Sequence, residues 1–225
     1  MNLKKRGYCL LLILSLQLAF LFAFNDNPSK GFIILGNEII YDFESSLEEW
    51  EPSLLTEGSV FELTNVDPFE GYSSAKLVGR TRYYQPIANY VTLNLTPSTI
   101  MNFSWKYDNI DGYYFGILLA CEGPDIWFMH KFSGTYANNS NYLVVEYIAE
   151  NIGEWYSHSV NIYDLYMDYY GYLPTKITSV HVYNRGYGAA TGTTPSSQIS
   201  YYDSIKIGDL DITIPPSSKP EISLL

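Results

Sequence analysis

Alternation with a period of two runs through most of this chain. In Met101-Asn-Phe-Ser-Trp-Lys-Tyr107 the residues at 101, 103, 105 and 107 are apolar and those at 102, 104 and 106 polar, the pattern of a strand with one face in a core and the other in water. Related alternation marks 38–44, 59–64, 75–78, 91–96, 142–150, 156–162, 176–183 and 199–207, while 113–121 and 126–132 are apolar on both faces. Turn-forming residues separate most of these runs, among them Asp67-Pro68, Thr96-Pro97 and Glu122-Gly-Pro-Asp125. Only Asp164 to Tyr170 suggests a helical turn. About eleven short strands without strand–helix alternation predict an all-β fold, two antiparallel sheets packed face to face as a β-sandwich over residues 38–211. The 22 Tyr and 11 Phe suit it, because aromatic rings favour a half-buried pleated surface.

The two ends read differently. Lys4-Lys5-Arg6 precedes 18 uncharged, mostly apolar residues, 7–24, and Asn25-Asp26-Asn27-Pro28 stops the run. A basic segment followed by an apolar one is an export signal, and the positive-inside rule sends everything after Phe24 across the membrane. As a helix the run spans about 27 Å, just enough for a thin bilayer, so residues 1–24 are either a cleaved signal peptide or an uncleaved membrane anchor. The protein is expected outside the cytoplasm, secreted or at the cell surface. Residues 25–37 form a lead-in. Three prolines between Ile214 and Pro220 deny that stretch ladder hydrogen bonds, so 212–225 reads as an extended tail.

Charge excludes one large class of partner. Beyond residue 24, ten Lys and Arg stand against 24 Asp and Glu, a formal charge of −14. Such a surface repels phosphate backbones, which excludes nucleic acid. The two cysteines are Cys9, in the apolar run, and Cys121. One thiol and three scattered histidines leave no basis for a zinc cluster.

Tyr41-Asp-Phe-Glu44, Trp50, Glu70-Gly-Tyr-Ser-Ser-Ala-Lys-Leu-Val78, Gly153-Glu-Trp155, Asn161-Ile-Tyr-Asp-Leu165 and Tyr201-Tyr-Asp-Ser-Ile-Lys-Ile207 follow one another in that order. Together they resemble the jelly-roll carbohydrate-binding modules of the galactose-binding-like kind; laminin-G and concanavalin-like jelly rolls share much of the pattern. The resemblance implies a structural calcium between the first and last strands, held by Glu44, the backbone of Gly71 and Asp203. Calcium takes six to eight hard oxygens, many of them from backbone. It also implies core positions for Trp50 and Trp155.

A sugar site needs flat aromatic faces for pyranose rings and a few polar groups for the hydroxyls. Strand parity turns Phe128, Val180, Val182, Leu143, Val145 and Tyr147 inward, and Trp127, Glu146, His181 and Tyr183 outward, while Arg82 and Tyr84 share one face. Trp127, Tyr84, Arg82, Glu146, His181 and Tyr183 are therefore the candidate ligand-binding residues, on one sheet face. Glu146 and Glu150 lie four residues apart on one strand face, about 13 Å, too far for a glycosidase pair, which needs about 5 to 9.5 Å. No Gly-x-Ser-x-Gly elbow, phosphate-binding glycine loop or paired metal-binding histidines occur.

The expected function is non-catalytic glycan binding to a polysaccharide or glycoprotein. The alternatives are a structural or adhesive surface protein whose partners are other surface proteins, and a jelly-roll glycoside hydrolase or lyase. If the anchor is uncleaved, residues 7–24 hold the protein to the membrane. N-glycosylation sequons stand at Asn94, Asn102 and Asn138; the first two fall in strands and the third in a polar loop, so Asn138 is expected to be the first occupied.

Overall fold

The structure, a computed structural model, describes residues 32–34, 37–47, 49–52, 59–79, 85–109, 112–132, 138, 140–148, 151–186 and 197–209. The basic and apolar N-terminal segment, the tail 212–225, and Arg82 and Tyr84 lie outside the described residues. Among those described, no helix is long and apolar enough to cross a membrane.

The order of elements is β1 (Phe32–Ile34), β2 (Glu38–Tyr41), β3 (Glu51–Pro52), β4 (Val60–Thr64), β5 (Ser74–Gly79), β6 (Gln85–Asn94), β7 (Ile100–Tyr107), β8 (Gly112–Cys121), β9 (Asp125–Lys131), β10 (Tyr142–Tyr147), β11 (Tyr156–Asn161), α1 (Ile162–Tyr170), β12 (Lys176–Gly186) and β13 (Gln198–Gly208). They form an all-β sandwich of two sheets. In the first, β13 is central: one edge pairs with β7, and β7 with β11, while the other edge pairs with β5 in its first half and β2 in its second. The second sheet runs β10-β9-β8-β12-β6-β3. Within the expected lead-in, β1 pairs with β2, and β3 is a further short addition.

One pair departs from the antiparallel expectation. β10 runs parallel to β9, Tyr142 opposite Asp125 and Tyr147 opposite His130. The seven residues of β9 cover about 23 Å. The ten residues from Phe132 to Asn141 can reach about 33 Å, enough to return the chain to the starting end.

Between the sheets lies a core rich in rings: Tyr41, Phe43, Phe103, Trp105, Phe115, Phe128 and Tyr202 are fully buried. Phe103 and Trp105 alternate inward as the period of two requires, their rings 4.9 Å apart, and Trp50 packs against Tyr41 at the same spacing. β13 needs a correction to simple alternation. Tyr202, Ile205 and Ile207 all face the core, which the period permits only because a bulge between Asp203 and Lys206 inserts one residue, with Ser204 at φ +53°.

The other face of β7 was expected to be wet, yet the Lys106 side chain is only 5% exposed. The turn 66–73 and Trp155 cover it. Lys106 donates to Asp67 Oδ2 at 3.0 Å and lies 4.5 Å from the Tyr201 ring centroid and 5.2 Å from that of Trp155. Trp155 is thus outside the core, contrary to its expected place. It is half-buried on the outer face of the first sheet and donates through Nε1 to the Asp67 carbonyl at 2.9 Å. Asn161 caps α1 by accepting from the Asp164 amide, and Gly171, at φ +73°, ends it with a Schellman-type turn to the carbonyls of Tyr166 and Met167.

Candidate functional site

The outer face of the second sheet carries its own apolar cluster, separate from the core: Tyr114, Leu118, Met129, Val144 and Tyr183 are buried, with Tyr113, Trp127 and Tyr142 packed against them. Strand register explains the grouping. Val144 lies opposite Trp127, Trp127 opposite Leu118, and Leu118 opposite His181, in one row across four strands. The neighbouring row is Glu146, Met129, Gly116 and Tyr183. Because successive residues alternate faces, a core-facing Phe128 obliges Trp127 and Met129 to point out.

Trp127 and Tyr142, both half-buried, flank a cavity of about 200 Å³ that Tyr114, Met129 and Val144 also line. That lies below the usual ligand-pocket range of about 300–1,000 Å³, so it suits one ring-sized group. Polar groups surround it. Lys131 Nζ sits 2.6 Å from both carboxylate oxygens of Glu146, and the Arg185 guanidinium lies 5.0 Å and 5.8 Å from the ring centroids of Tyr113 and Tyr114. His181 Nε2 shares a 2.8 Å hydrogen bond with Ser179 Oγ, and burial pushes the imidazole down to about 4, so it is neutral near pH 7.

Of the six expected ligand-binding residues, Trp127, Glu146, His181 and Tyr183 come together on this face, while Arg82 and Tyr84 lie outside the described residues. Tyr183 is 0% exposed, so it serves as floor beneath Trp127, at 5.2 Å between ring centroids, instead of offering a free ring. Its hydroxyl crosses β8 to donate to the Phe128 carbonyl of β9 at 3.0 Å. The intervening residue is Gly116, where a Cβ would stand 1.9 Å from that carbonyl oxygen and 2.8 Å from the hydroxyl. Sequence reasoning missed Tyr114, Met129, Tyr142 and Val144. Strand parity turns Met129 to the same face as Trp127; what it lacks is the parallel placing of β10, which sets Tyr142 and Val144 beside Trp127.

Glu44, Gly71 and Asp203 meet at the turn 69–73. Glu44 accepts from the Tyr72 amide at 2.9 and 3.0 Å, and Asp203 Oδ2 accepts from the amides of Phe69 and Glu70 at 3.0 and 3.2 Å. Gly71, at φ +62°, leaves room for the Glu44 carboxylate, since a Cβ there would stand 1.9 Å from Oε1. Asp203 is 1% exposed; burial, with the Glu44 charge adding, pushes its carboxyl up to about 6. The two carboxylates are hard oxygen donors of the kind calcium takes, and the turn directs amide N–H groups at both of them. No group of three or more His, Cys, Asp or Glu converges among the described residues, so backbone oxygens would have to supply much of such a shell.

Among the described residues, acids suited to hydrolysis do not pair on the aromatic face. Asp125 and Glu146 stand at opposite ends of the β9–β10 ladder, four residues apart in register, about 13 Å. Glu150 lies outside the described residues. His158 packs in the core between Phe103, Trp105 and Tyr147, as its strand parity required. At the sequons, Asn138 is half-buried with its Oδ1 accepting from the Val144 amide at 2.7 Å, Asn94 is exposed at the end of β6, and Asn102 is half-buried in β7.

No protein-family model matches this sequence, and no curated protein matches it either. Among solved structures, carbohydrate-binding modules of families 11 and 22 recur, with β-sandwich jelly-roll folds. The chain is similar to the cellulose-induced protein Cip1 (13% identity, TM-score 0.48, 78% of this chain and 99% of that one). It is also similar to the family 11 carbohydrate-binding module from Clostridium thermocellum in complex with a β-1,3-1,4-mixed-linked tetrasaccharide (13%, 0.44, 76% and 94%). A third is the glycoside hydrolase domain of Endo-D from Streptococcus pneumoniae R6 (15%, 0.44), where the match covers 74% of this chain and 22% of that one.

Proposed function

We propose that this protein binds a glycan without transforming it, through the outer face of the second sheet. The observation that carries the reading is the apolar pocket between Trp127 and Tyr142, which opens away from the core and is bordered by fixed polar groups. An aromatic wall takes the apolar face of a pyranose. Glu146 accepts from hydroxyls through lone pairs that Lys131 leaves available, while Arg185 and Lys131 donate. The wide spacing of Asp125 and Glu146 supports binding without hydrolysis. Export through the N-terminal basic and apolar segment would bring this face to polysaccharides or glycoprotein glycans outside the cell.

Mixed-linkage β-glucan and xylan are the first polymers to try, as affinity gels. If Trp127 is the anchor, Trp127→Ala weakens retention by about 2 kcal/mol, close to thirtyfold in Kd, with the circular dichroism spectrum unchanged. Equal retention of variant and wild type would remove this face from the account.

Calcium belongs to the same reading. Glu44 and Asp203 would hold it with the backbone of the 69–73 turn, where it would neutralise two close carboxylates and tie the first strands to β13. A ligand bound only by the folded state stabilises by about 2.7 kcal/mol at a hundredfold excess over Kd. Millimolar calcium should therefore raise the melting temperature over that in chelator, and Asp203→Ala should abolish the difference. Identical melting in both solutions would remove the ion.

A second reading, protein-to-protein contact at a surface, is favoured by exposed apolar residues on two loops: Val66 and Tyr72 on one, Ile148 and Ile152 on the other. It predicts self-association or partner binding that persists in Trp127→Ala.

A further inference from the structure

We infer that Tyr169, Tyr170 and Tyr172, at the C-terminal turn of α1, form a second sugar-stacking platform for the continuing chain of a neutral polysaccharide that seats one ring beside Trp127. The inference rests on the glycan-binding reading above and adds to it that the ligand is a polymer chain.

Three observations lead there. The first is the tyrosines themselves. Gly171 turns the chain so that Tyr172 comes within 5.9 Å of Tyr170, while Tyr169 meets Tyr170 edge-on at 4.7 Å. Tyr170 rests against the core, but Tyr169 and Tyr172 are 37% and 49% exposed. Ile162, Leu165 and Tyr166 already anchor the helix. Packing therefore does not account for two further rings held in solvent.

The second is position. Tyr166 donates to the Pro124 carbonyl, which seats α1 against the turn between β8 and β9. The next residue, Asp125, donates its amide to Asn141 at 2.9 Å and lies opposite Tyr142, which lines the pocket. The helix that carries the platform and Tyr142 at the pocket thus flank the same turn.

The third is charge. Asp164 and Asp168 are exposed on the same helix, and Asp125 stands at the turn. These carboxylates repel phosphate, sulfate or uronate groups and accept from hydroxyls, which selects a neutral, hydroxyl-rich chain. Flat rings bordered by acceptors favour sugar over an aliphatic protein surface.

The test compares the full chain with Tyr169→Ala/Tyr172→Ala and with Trp127→Ala. The probes are the polymer that retains the wild type, mixed-linkage β-glucan or xylan, and its tetrasaccharide. Tyr169→Ala/Tyr172→Ala should weaken polymer binding about tenfold and leave the tetrasaccharide unchanged, because only a long chain bridges both surfaces. Unchanged polymer binding overturns the inference while the Trp127 reading stands. Equal loss on polymer and tetrasaccharide overturns it too, since the pocket itself is then disturbed. Loss in the tyrosine variant without loss in Trp127→Ala overturns the inference together with the Trp127 reading, since no ring is then seated beside Trp127. Retention of the wild type by neither polymer overturns both, and self-association that these tyrosine changes abolish would assign the patch to a protein partner.

Discussion

Gly116→Ala is expected to lower the melting temperature by about 10 °C and to spoil the floor of the pocket. The new methyl would stand 1.9 Å from the Phe128 carbonyl oxygen, a backbone atom of the adjoining strand that cannot swing aside. It also meets the Tyr183 hydroxyl at 2.8 Å, so the ring must leave its place beneath Trp127 or β8 must part from β9. Overpacking of this kind costs about 3 kcal/mol, and each kcal/mol shifts the melting point of a domain this size by about 2–4 °C. Tyr183→Phe is the control. It keeps the ring and loses only the 3.0 Å hydrogen bond to Phe128, about 1 kcal/mol. Thermal unfolding followed by circular dichroism measures both; a Gly116→Ala variant melting with the wild type would show that Tyr183 does not cross β8 as described.

Acid should unfold the protein in a window set by buried histidines. Burial pushes His130 and His181 down to about 4, and burial together with the His130 charge pushes His158 down to about 3. The unfolded chain titrates its histidines near pH 6.5, so it binds more protons than the native state below that point. The stability that neutral histidines contribute is fully present above pH 6.5 and is lost as pH falls toward 4. At about 1.36 kcal/mol per pH unit, three such groups cost on the order of 10 kcal/mol by pH 4.

Asp203 works the other way. Its carboxyl is raised to about 6, mainly by burial, so protonating it between pH 6 and 4 favours the native state by about 3 kcal/mol. The histidines outweigh it, and the net loss is comparable to the whole stability of an ordinary domain. His158 dominates at the acid end: both its ring nitrogens lack a partner among the described residues, and it packs 4.0 Å from Tyr147 between ring centroids. His158→Phe keeps an aromatic ring there and removes the proton, so the slope of melting temperature against pH between 6 and 4 should flatten. An unaltered slope in that variant would mean that other groups drive the transition.

Much of the sandwich was legible because alternation is a local property. Phe103, Trp105, Phe128, Val180 and Val182 reach the core from strands whose polar neighbours point out, and a ribbon with side chains on alternating faces leaves no other arrangement. The same parity assigned Trp127, Glu146, His181 and Tyr183 to one face. Where the alternation breaks, at the β13 bulge, the sequence carries no mark except that Tyr202 and Ile205 are three residues apart. Trp155 misled for another reason. Its core place was carried over from the resemblance to jelly-roll modules, yet here a turn fastened by Asp203, Glu44 and Lys106 half-buries it on the outside of a sheet.

Residue order by itself determined which side of each strand is apolar, where the chain turns and how acidic the surface is, because these depend on neighbours a few positions away. Tertiary structure alone decided which strands adjoin. The parallel return of β10 brings Tyr142 and Val144 to Trp127, and the glycine at 116 lets Tyr183 pass beneath them. Those contacts join residues 15 to 67 positions apart, and their geometry comes from packing across strands, to which a period of two within one strand is blind.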